Sequence, residues 1–232
     1  MSRVELLEPR AAYALWAASY PPRAHNPVMH AEERAMLALM PPDLHGQSVL
    51  DAGCGSGRYM LHALSRGAVG VTGVDLSVEM LERAGKELGA RGHGGDIELV
   101  QGNLERLPVP DASADLTICG LTIGHLDRLQ PGLSELCRVT RPGGTILCSD
   151  VHPIGHALGW LRDFKTEGRH CAVRHAPHFY SHWHAACVSL RLEIARVLEP
   201  MLDPADIPTD AHFDPLALEI PVALVFQLRR PS

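Results

Sequence analysis

The sequence VLDAGCGSG, residues 49–57, is the most informative part of this chain. A short apolar run ends at Asp51 and leads into three alternate glycines, after which residues 58–65 have the spacing of a helix. Glycines allow the backbone to approach a ligand closely, and a helix N-terminus offers unpaired N–H groups and the positive end of its dipole. The segment therefore predicts a strand, a ligand-binding loop and a helix.

The spacing of the glycines separates the kinds of ligand that such a loop can hold. A dinucleotide fingerprint requires G-x-G-x-x-G or a closing alanine, and a triphosphate loop requires Gly-Lys followed by Ser or Thr. This loop has glycines at positions 53, 55 and 57, with Arg58 next. Asp51 would repel a pyrophosphate and attract an ammonium group. We therefore interpret the loop as a site for an amino-acid nucleoside, with a nicotinamide dinucleotide as the alternative.

A second carboxylate follows at the end of the next apolar run, VTGVD, where Asp75 is the last residue. A doubly wound sheet places an acid at this point against the two hydroxyls of a ribose. The alternative is a local role at the start of the next helix, where Ser77 is also a candidate cap. Because the glycine loop lies just upstream, we favour the ribose role for Asp75.

Short apolar runs alternate with helical patterns along most of the chain, which predicts a parallel sheet with helices on both faces. Helices are expected over residues 3–20, 28–40, 58–65, 78–88, 133–139 and 181–190. Strands are expected over residues 48–51, 69–75, 97–100, 116–119, 145–149, 190–198 and 222–228, with a glycine loop at 89–95 and a turn at 142–144. The last two strands lack an intervening helix, which favours an antiparallel hairpin at the sheet edge.

Composition restricts the classes of function. The chain has 232 residues and a formal net charge of −6, which argues against a broad nucleic-acid surface. Six cysteines without a C-x-x-C pair indicate free thiols in a reducing compartment, and no metal site is expected. No apolar stretch is long enough for a membrane span, and no signal peptide is evident, so a cytoplasmic location is expected.

Four segments together resemble the class I S-adenosylmethionine-dependent methyltransferases of the small-molecule methyltransferase-11 type. They are VLDAGCGSGRY at 49–59, GVDLS at 73–77, QGNLERLPVPDASAD at 101–115 and LCRVTRPGGTILCSD at 136–150. The resemblance implies a Rossmann-like α/β fold whose seven strands are ordered 3-2-1-4-5-7-6, with strand 7 antiparallel. It also implies a single domain, with a helical cover over 1–42, a cofactor-binding core over 43–150, a substrate lid over 151–190 and a C-terminal strand pair over 191–232.

The resemblance implies a role for each matching residue toward S-adenosylmethionine. The methionine end would be lined by Asp51, Gly53, Cys54, Gly55 and Gly57, with Tyr13 and Tyr20 of the N-terminal segment as further candidates. Asp75 would bind the ribose. The adenine would contact Leu76, Asn103 and Leu104, and the sulfonium region would face Gly120 and Leu121. Many members have Asp where this chain has Asn103, which leaves the contact with the adenine amine less defined.

The acceptor side is less well specified. His125 and His152 follow predicted strands near the expected pocket and are the candidate general bases. A sulfonium methyl group is already activated, however, so alignment and exclusion of water can suffice, and a carboxylate acceptor would need no base. The sequence thus predicts methylation of oxygen or nitrogen in a small molecule by a monomer or homodimer. A nicotinamide-dependent oxidoreductase and a non-catalytic cofactor-binding protein are the alternatives.

Overall fold

A seven-stranded sheet forms the centre of the computed structural model, which describes residues 4–92, 97–207 and 215–232. Its strands are β2 (Ser48–Ala52), β3 (Gly70–Asp75), β4 (Ile97–Gln101), β5 (Ala114–Gly120), β6 (Thr140–Val151), β9 (Glu193–Leu198) and β10 (Ala223–Arg229). They are ordered β4-β3-β2-β5-β6-β10-β9, with β10 antiparallel to both of its neighbours. The predicted strand order and edge hairpin are confirmed.

The described residues form seven α-helices. They are α1 (Pro9–Trp16), α2 (Pro27–Leu39), α3 (Arg58–Ser65), α4 (Val78–Ala90), α5 (Leu129–Val139), α6 (Pro153–Ala157) and α7 (Tyr180–Leu190). Six of them, all except α6, overlap helices predicted from the sequence. The side chain of Asn26 caps α2 by accepting from the Met29 amide at 2.9 Å, and Ser77 caps α4 as predicted.

The apolar core fills both faces of the large sheet. On one face, Trp183 of α7 stacks on Phe226 of β10 with ring centroids 4.2 Å apart. On the other face, Met36 of α2 and Met60 of α3 belong to a cluster that includes Val225. Adjacent residues of β10 thus enter opposite layers, which explains why this strand is almost continuously apolar.

A second, three-stranded sheet was not predicted. It contains β1 (Glu5–Leu7), β8 (Arg169–Val173) and β7 (Arg162–Thr166), in the order β1-β8-β7. The prediction of one helix over residues 3–20 was therefore wrong at its start. Pro9 disfavours the helical conformation for the preceding residue, and Glu8 is extended at φ −62° and ψ 147°. The N-terminal cover is consequently part strand and part helix.

Two other boundaries differ from the prediction. The expected turn at 142–144 lies within β6, where pairing with β5 jumps from Ala114↔Thr140 to Leu116↔Thr145 and makes a wide bulge. The strand expected from residue 190 begins at residue 193, because α7 continues to residue 190. The expected loop at 89–95 overlaps α4 through residue 90, and its positions 93–95 lie outside the described residues.

Candidate functional site

One cavity lies at the carboxyl ends of β2, β3 and β5, the edge at which open α/β sheets bind ligands. Its cover comes from α1, the segment after α1, and β7 of the small sheet. Eleven of the predicted site residues line it, namely Tyr20, Gly53, Cys54, Gly55, Asp75, Leu76, Asn103, Leu104, Gly120, Leu121 and His125. Tyr13 lines it as well. Asp51, Gly57 and His152 do not belong to its lining.

The glycine loop is held in a conformation that other residues rarely adopt. Gly53, Gly55 and Gly57 all have positive φ, at 81°, 54° and 85°. A Cβ at Gly53 would lie 2.2 Å from the Thr122 side chain, so the position has no room for any other residue. The Thr122 hydroxyl donates toward the carbonyls of Gly53 and Gly120, at 3.2 and 3.1 Å, and thereby joins the ends of β2 and β5.

Asp75 organises the floor of the cavity. Its carboxylate oxygens accept from the amides of Gly55 and Ser77, at 2.8 and 2.9 Å. Burial raises the pKa of Asp75, and the amides of Ser77 and Gly55 oppose that shift. The amides of Ser77, Gly55 and Leu76 do not use all four lone pairs of the carboxylate, so it can accept a ligand hydroxyl while it holds the loop. The local role and the ribose role predicted for Asp75 are thus compatible.

Asp51, at the end of β2, is the least satisfied charge near the loop. It is 1% exposed, and its Oδ2 has no hydrogen-bond partner among the residues that the structure describes. Burial raises the pKa of this carboxyl to about 7, although Arg58 acts in the opposite direction. A buried carboxyl with an unused acceptor is suited to the arrival of a cationic group.

Leu76, Asn103 and Leu104 form the side of the cavity next to Asp75. The side-chain oxygen of Asn103 accepts from the Glu105 amide at 2.9 Å, so one of its lone pairs is already used in a local turn. Leu76 is 39% exposed and presents apolar surface at the cavity. This side of the cavity offers apolar contact and one remaining amide acceptor.

His125 lies at the opposite side and is held on both ring nitrogens. Its Nδ1 is 3.0 Å from the Arg174 carbonyl, which can only accept, so Nδ1 carries the proton. Its Nε2 then accepts from the Tyr13 hydroxyl at 2.9 Å. Burial, with a contribution from nearby Arg162, lowers the pKa of His125 to about 3. The ring is therefore neutral and a weak base.

His152 caps α6 rather than facing the cavity. Its Nδ1 accepts from the Ile154 amide at 3.3 Å, and its Nε2 lies 3.4 Å from Glu199. The two histidines predicted as candidate bases are consequently not brought together in one site.

A buried network behind the cavity was missed by the sequence reasoning. Glu32 of α2 is completely buried and accepts from the hydroxyls of Tyr59 and Ser149, at 2.7 and 2.5 Å. The Arg58 guanidinium lies 3.0 Å from the other oxygen of Glu32. A Cβ at Gly120 would lie 2.4 Å from the Tyr59 ring, so this glycine is required by packing as well as by its place in the cavity. The sequence signal that could have identified Glu32 is an acidic residue on the apolar face of a predicted helix.

Two further searches covered only residues 4–92, 97–207 and 215–232. Within these ranges, no cluster of three or more histidine, cysteine or acidic side chains can hold a metal ion. None of the helices described there has the length and apolar character needed to cross a membrane.

Comparison with known proteins finds similarity that is centred on the loop and its neighbours. Residues 50–148 match a family model described as a methyltransferase domain. A malonyl-[acyl-carrier protein] O-methyltransferase from Pectobacterium atrosepticum is 41% identical over 111 residues, which are 48% of this chain and 41% of that protein. The chain spans about half the length, or less, of the curated relatives that it matches.

Solved structures share the fold. An S-adenosylmethionine-dependent methyltransferase from Mesorhizobium loti is 26% identical, with a TM-score of 0.69 over 86% of this chain and 98% of that chain. The [4+2]-cyclase SpnF is 15% identical, with a TM-score of 0.70 over the whole of both chains, and its likeness concerns the fold alone. The fold by itself therefore does not determine the reaction.

Proposed function

We propose that this chain, whose core belongs to the S-adenosylmethionine-dependent methyltransferases, transfers the methyl group of that cofactor to an oxygen or nitrogen of a small-molecule acceptor. The observation that carries the proposal is the pairing of the glycine loop with two acids of different character. Asp75 is fixed by the loop amides at the edge of the cavity, whereas Asp51 is buried with an unused oxygen. This arrangement suits a ribose and an ammonium group, and it would repel a pyrophosphate.

We assign residues of the chain to each part of the proposed cofactor. Asp51 would neutralise its ammonium group, and Asp75 would accept its ribose hydroxyls. The methionine end would also meet Gly53, Cys54, Gly55 and Tyr20, with Gly57 supporting the loop from behind. The adenine would contact Leu76, Asn103 and Leu104, and the reacting end would lie near Gly120 and Leu121.

Base catalysis is not required by this proposal. S-adenosylmethionine supplies a methyl group on a positively charged sulfur, which is activated before it binds. The covering residues of the chain then need to orient the acceptor and exclude water. We assign to His125 the positioning of the Tyr13 hydroxyl at the cavity, and to His152 the capping of α6.

The proposal also covers the kind of acceptor, the cellular location and the oligomeric state. The acidic net charge supports a small-molecule acceptor rather than a nucleic acid, and a carboxylate is one candidate acceptor. The name of the relative from Pectobacterium atrosepticum specifies O-methylation of a malonyl group, which supports an acid acceptor. Six free cysteines support a reducing, cytoplasmic location, and we propose a monomer or a homodimer there.

Calorimetric binding of S-adenosylhomocysteine, with NAD in parallel, tests the cofactor assignment. We expect S-adenosylhomocysteine alone to bind, and Asp75→Asn to weaken it by about tenfold or more, because ribose hydroxyls would lose a charged acceptor. Glu79→Gln, an exposed acid nearby, is the matched control. Binding of NAD alone would favour an oxidoreductase. Binding without transfer from labelled S-adenosylmethionine to any small molecule would favour a non-catalytic protein.

A further inference from the structure

Arg162, the first residue of β7, brings a positive charge into the cavity from the covering sheet. Its Nη2 donates to the Tyr20 hydroxyl at 2.8 Å. The guanidinium carbon lies 5.6 Å from the Tyr13 ring centroid and 6.0 Å from that of Trp16. The Nε atom is shielded from solvent and has no hydrogen-bond partner. This cavity-lining side chain therefore has one donor, Nε, that the described part of the protein leaves unused.

The neighbouring arginines are satisfied in a different way. Arg58, which also lines the cavity, lies 3.0 and 3.2 Å from the carboxylates of Glu32 and Glu33. Arg174 contacts two acids in the same manner. For Arg162, no carboxylate of the described residues lies within 4.0 Å. A shielded guanidinium without an anion is unfavourable, and aromatic rings offset only part of that cost.

The shape and charge of the site indicate which chemical group would pair with Arg162. A guanidinium presents a planar fork of donors that matches a carboxylate through two parallel hydrogen bonds. A single shielded cation balances one negative charge, whereas a phosphate dianion would require a second shielded cation. Arg10 and Arg23 also line the cavity, but both are exposed.

We propose that Arg162 and Tyr20 form a carboxylate-binding subsite of the cavity, which is filled by a ligand rather than by the protein. The inference rests on the proposed function, because the ligand is either the acceptor or the methyl donor. Both sources are within reach of the subsite. Tyr20 precedes Pro21, whose carbonyl is 3.3 Å from the Ser56 hydroxyl of the glycine loop, while Arg162 itself belongs to the covering sheet on the acceptor side.

The first arm of the test asks whether the carboxylate belongs to the methyl donor. Calorimetry compares S-adenosylhomocysteine with 5′-methylthioadenosine, which lacks the amino-acid group, on the wild type, Arg162→Gln and Arg162→Lys. A donor carboxylate predicts that Arg162→Gln weakens S-adenosylhomocysteine by about tenfold or more and leaves 5′-methylthioadenosine unchanged. Arg162→Lys should show a smaller loss, because it keeps the charge without the fork. Arg229→Gln, at an exposed arginine that does not line the cavity, is the control.

The second arm asks whether the carboxylate belongs to the acceptor. Protein saturated with S-adenosylhomocysteine is titrated with a panel of small mono- and dicarboxylic acids, each paired with its neutral amide. An acceptor carboxylate predicts that acids bind in preference to amides, and that Arg162→Gln removes this preference. Circular dichroism of both Arg162 variants verifies folding, and Tyr20→Phe, which removes only a hydroxyl, should give a partial loss.

Failure of the proposed function and failure of the carboxylate-binding subsite give different experimental results. If the wild type binds neither nucleoside, the proposed function is contradicted, and titration of the unliganded protein with acids still decides the subsite. If Arg162→Gln leaves both the S-adenosylhomocysteine affinity and the preference for acids unchanged, the carboxylate subsite is overturned.

Discussion

The carboxyl group of Asp51 has an environment that links its charge to the contents of the cavity. Burial raises its pKa to about 7, so it is close to half-protonated in the unliganded protein near neutral pH. A ligand ammonium group placed near it would stabilise the carboxylate and lower that pKa. Binding would then release protons.

We therefore expect S-adenosylhomocysteine binding to release a fraction of a proton at about pH 7, and its affinity to rise between about pH 6 and 8. Titrations in buffers of different ionisation enthalpy measure the release directly. In Asp51→Asn, the release should disappear and the affinity should be lower and independent of pH in this range. Equal release by the variant would show that another group loses the proton.

The same raised pKa affects the stability of the unliganded protein. Because the folded state holds the Asp51 proton more tightly than the unfolded chain, this residue stabilises the fold at low pH, and the contribution is lost as pH rises from about 4 to 7. We expect Asp51→Asn to gain stability relative to the wild type as pH is raised from about 5 to 8. Urea unfolding of both proteins at these two pH values checks the difference, and a constant difference would contradict it.

We expect that titration of His125 does not contribute to the pH dependence of turnover. Its lowered pKa of about 3 keeps the ring neutral above about pH 5, and both of its nitrogens are hydrogen-bonded. Once an acceptor is known, kcat should therefore show no inflection near the usual histidine pKa. An inflection present in the wild type and absent in His125→Gln would instead identify His125 as a general base.

At the level of helices and strands, α2 is joined to the sheet through one buried acid. Glu32 contacts Arg58 of α3 and Ser149 of β6, so its removal would leave a guanidinium without its buried partner. We expect Glu32→Ala to reduce the free energy of unfolding by about 3 to 5 kcal/mol. Glu33→Ala is the matched control, since Glu33 is more exposed and Arg58 keeps Glu32 when it is removed. Similar losses in denaturant unfolding of the two variants would contradict this account.

Sequence patterns predicted the elements whose signals are local. The large sheet and most helices followed from apolar periodicity, and Ser77 from capping chemistry. The β7–β8 hairpin was missed because its turn residues, Glu167 and Gly168, both have positive φ, at 46° and 75°. Such turns usually carry Asn-Gly or Asp-Gly, and glutamate gives no comparable signal.

In the candidate site too, the residues that could be predicted are those whose signals are local in sequence. Gly53 and Asp75 could be identified because a strand, a loop and a helix adjacent in sequence fix their positions. The partners of Glu32 could not be predicted, although its place on the apolar face of a predicted helix was a signal, because they lie on elements up to 117 residues away. Arg162 could not be identified, because it belongs to a sheet without a local signature and contacts Tyr20, 142 residues away. The low pKa of His125 likewise depends on burial by α1, which its own sequence neighbours do not indicate.

Across the whole molecule, the cavity lies between the large sheet and the small sheet. The large sheet provides the glycine loop and Asp75, and the small sheet provides Arg162 above them. Contacts between the two sides include the hydrogen bond from Tyr13 of α1 to His125 and the hydrogen bond from His125 to the carbonyl of Arg174, which follows β8. A ligand that touches both sides would stabilise them together.

We therefore expect S-adenosylhomocysteine, at about 100 times its Kd, to raise the free energy of unfolding by about 2.7 kcal/mol and to slow amide hydrogen exchange on both sides of the cavity. Protection should appear in the glycine loop at 52–58 and also in the cover at 9–20 and 162–173. If Arg162 binds the carboxylate of this ligand, Arg162→Gln at matched saturation should retain protection of the loop and lose it at 162–173. Protection confined to the loop in the wild type would mean that the cover does not respond to the cofactor. The small sheet would then contact only the acceptor.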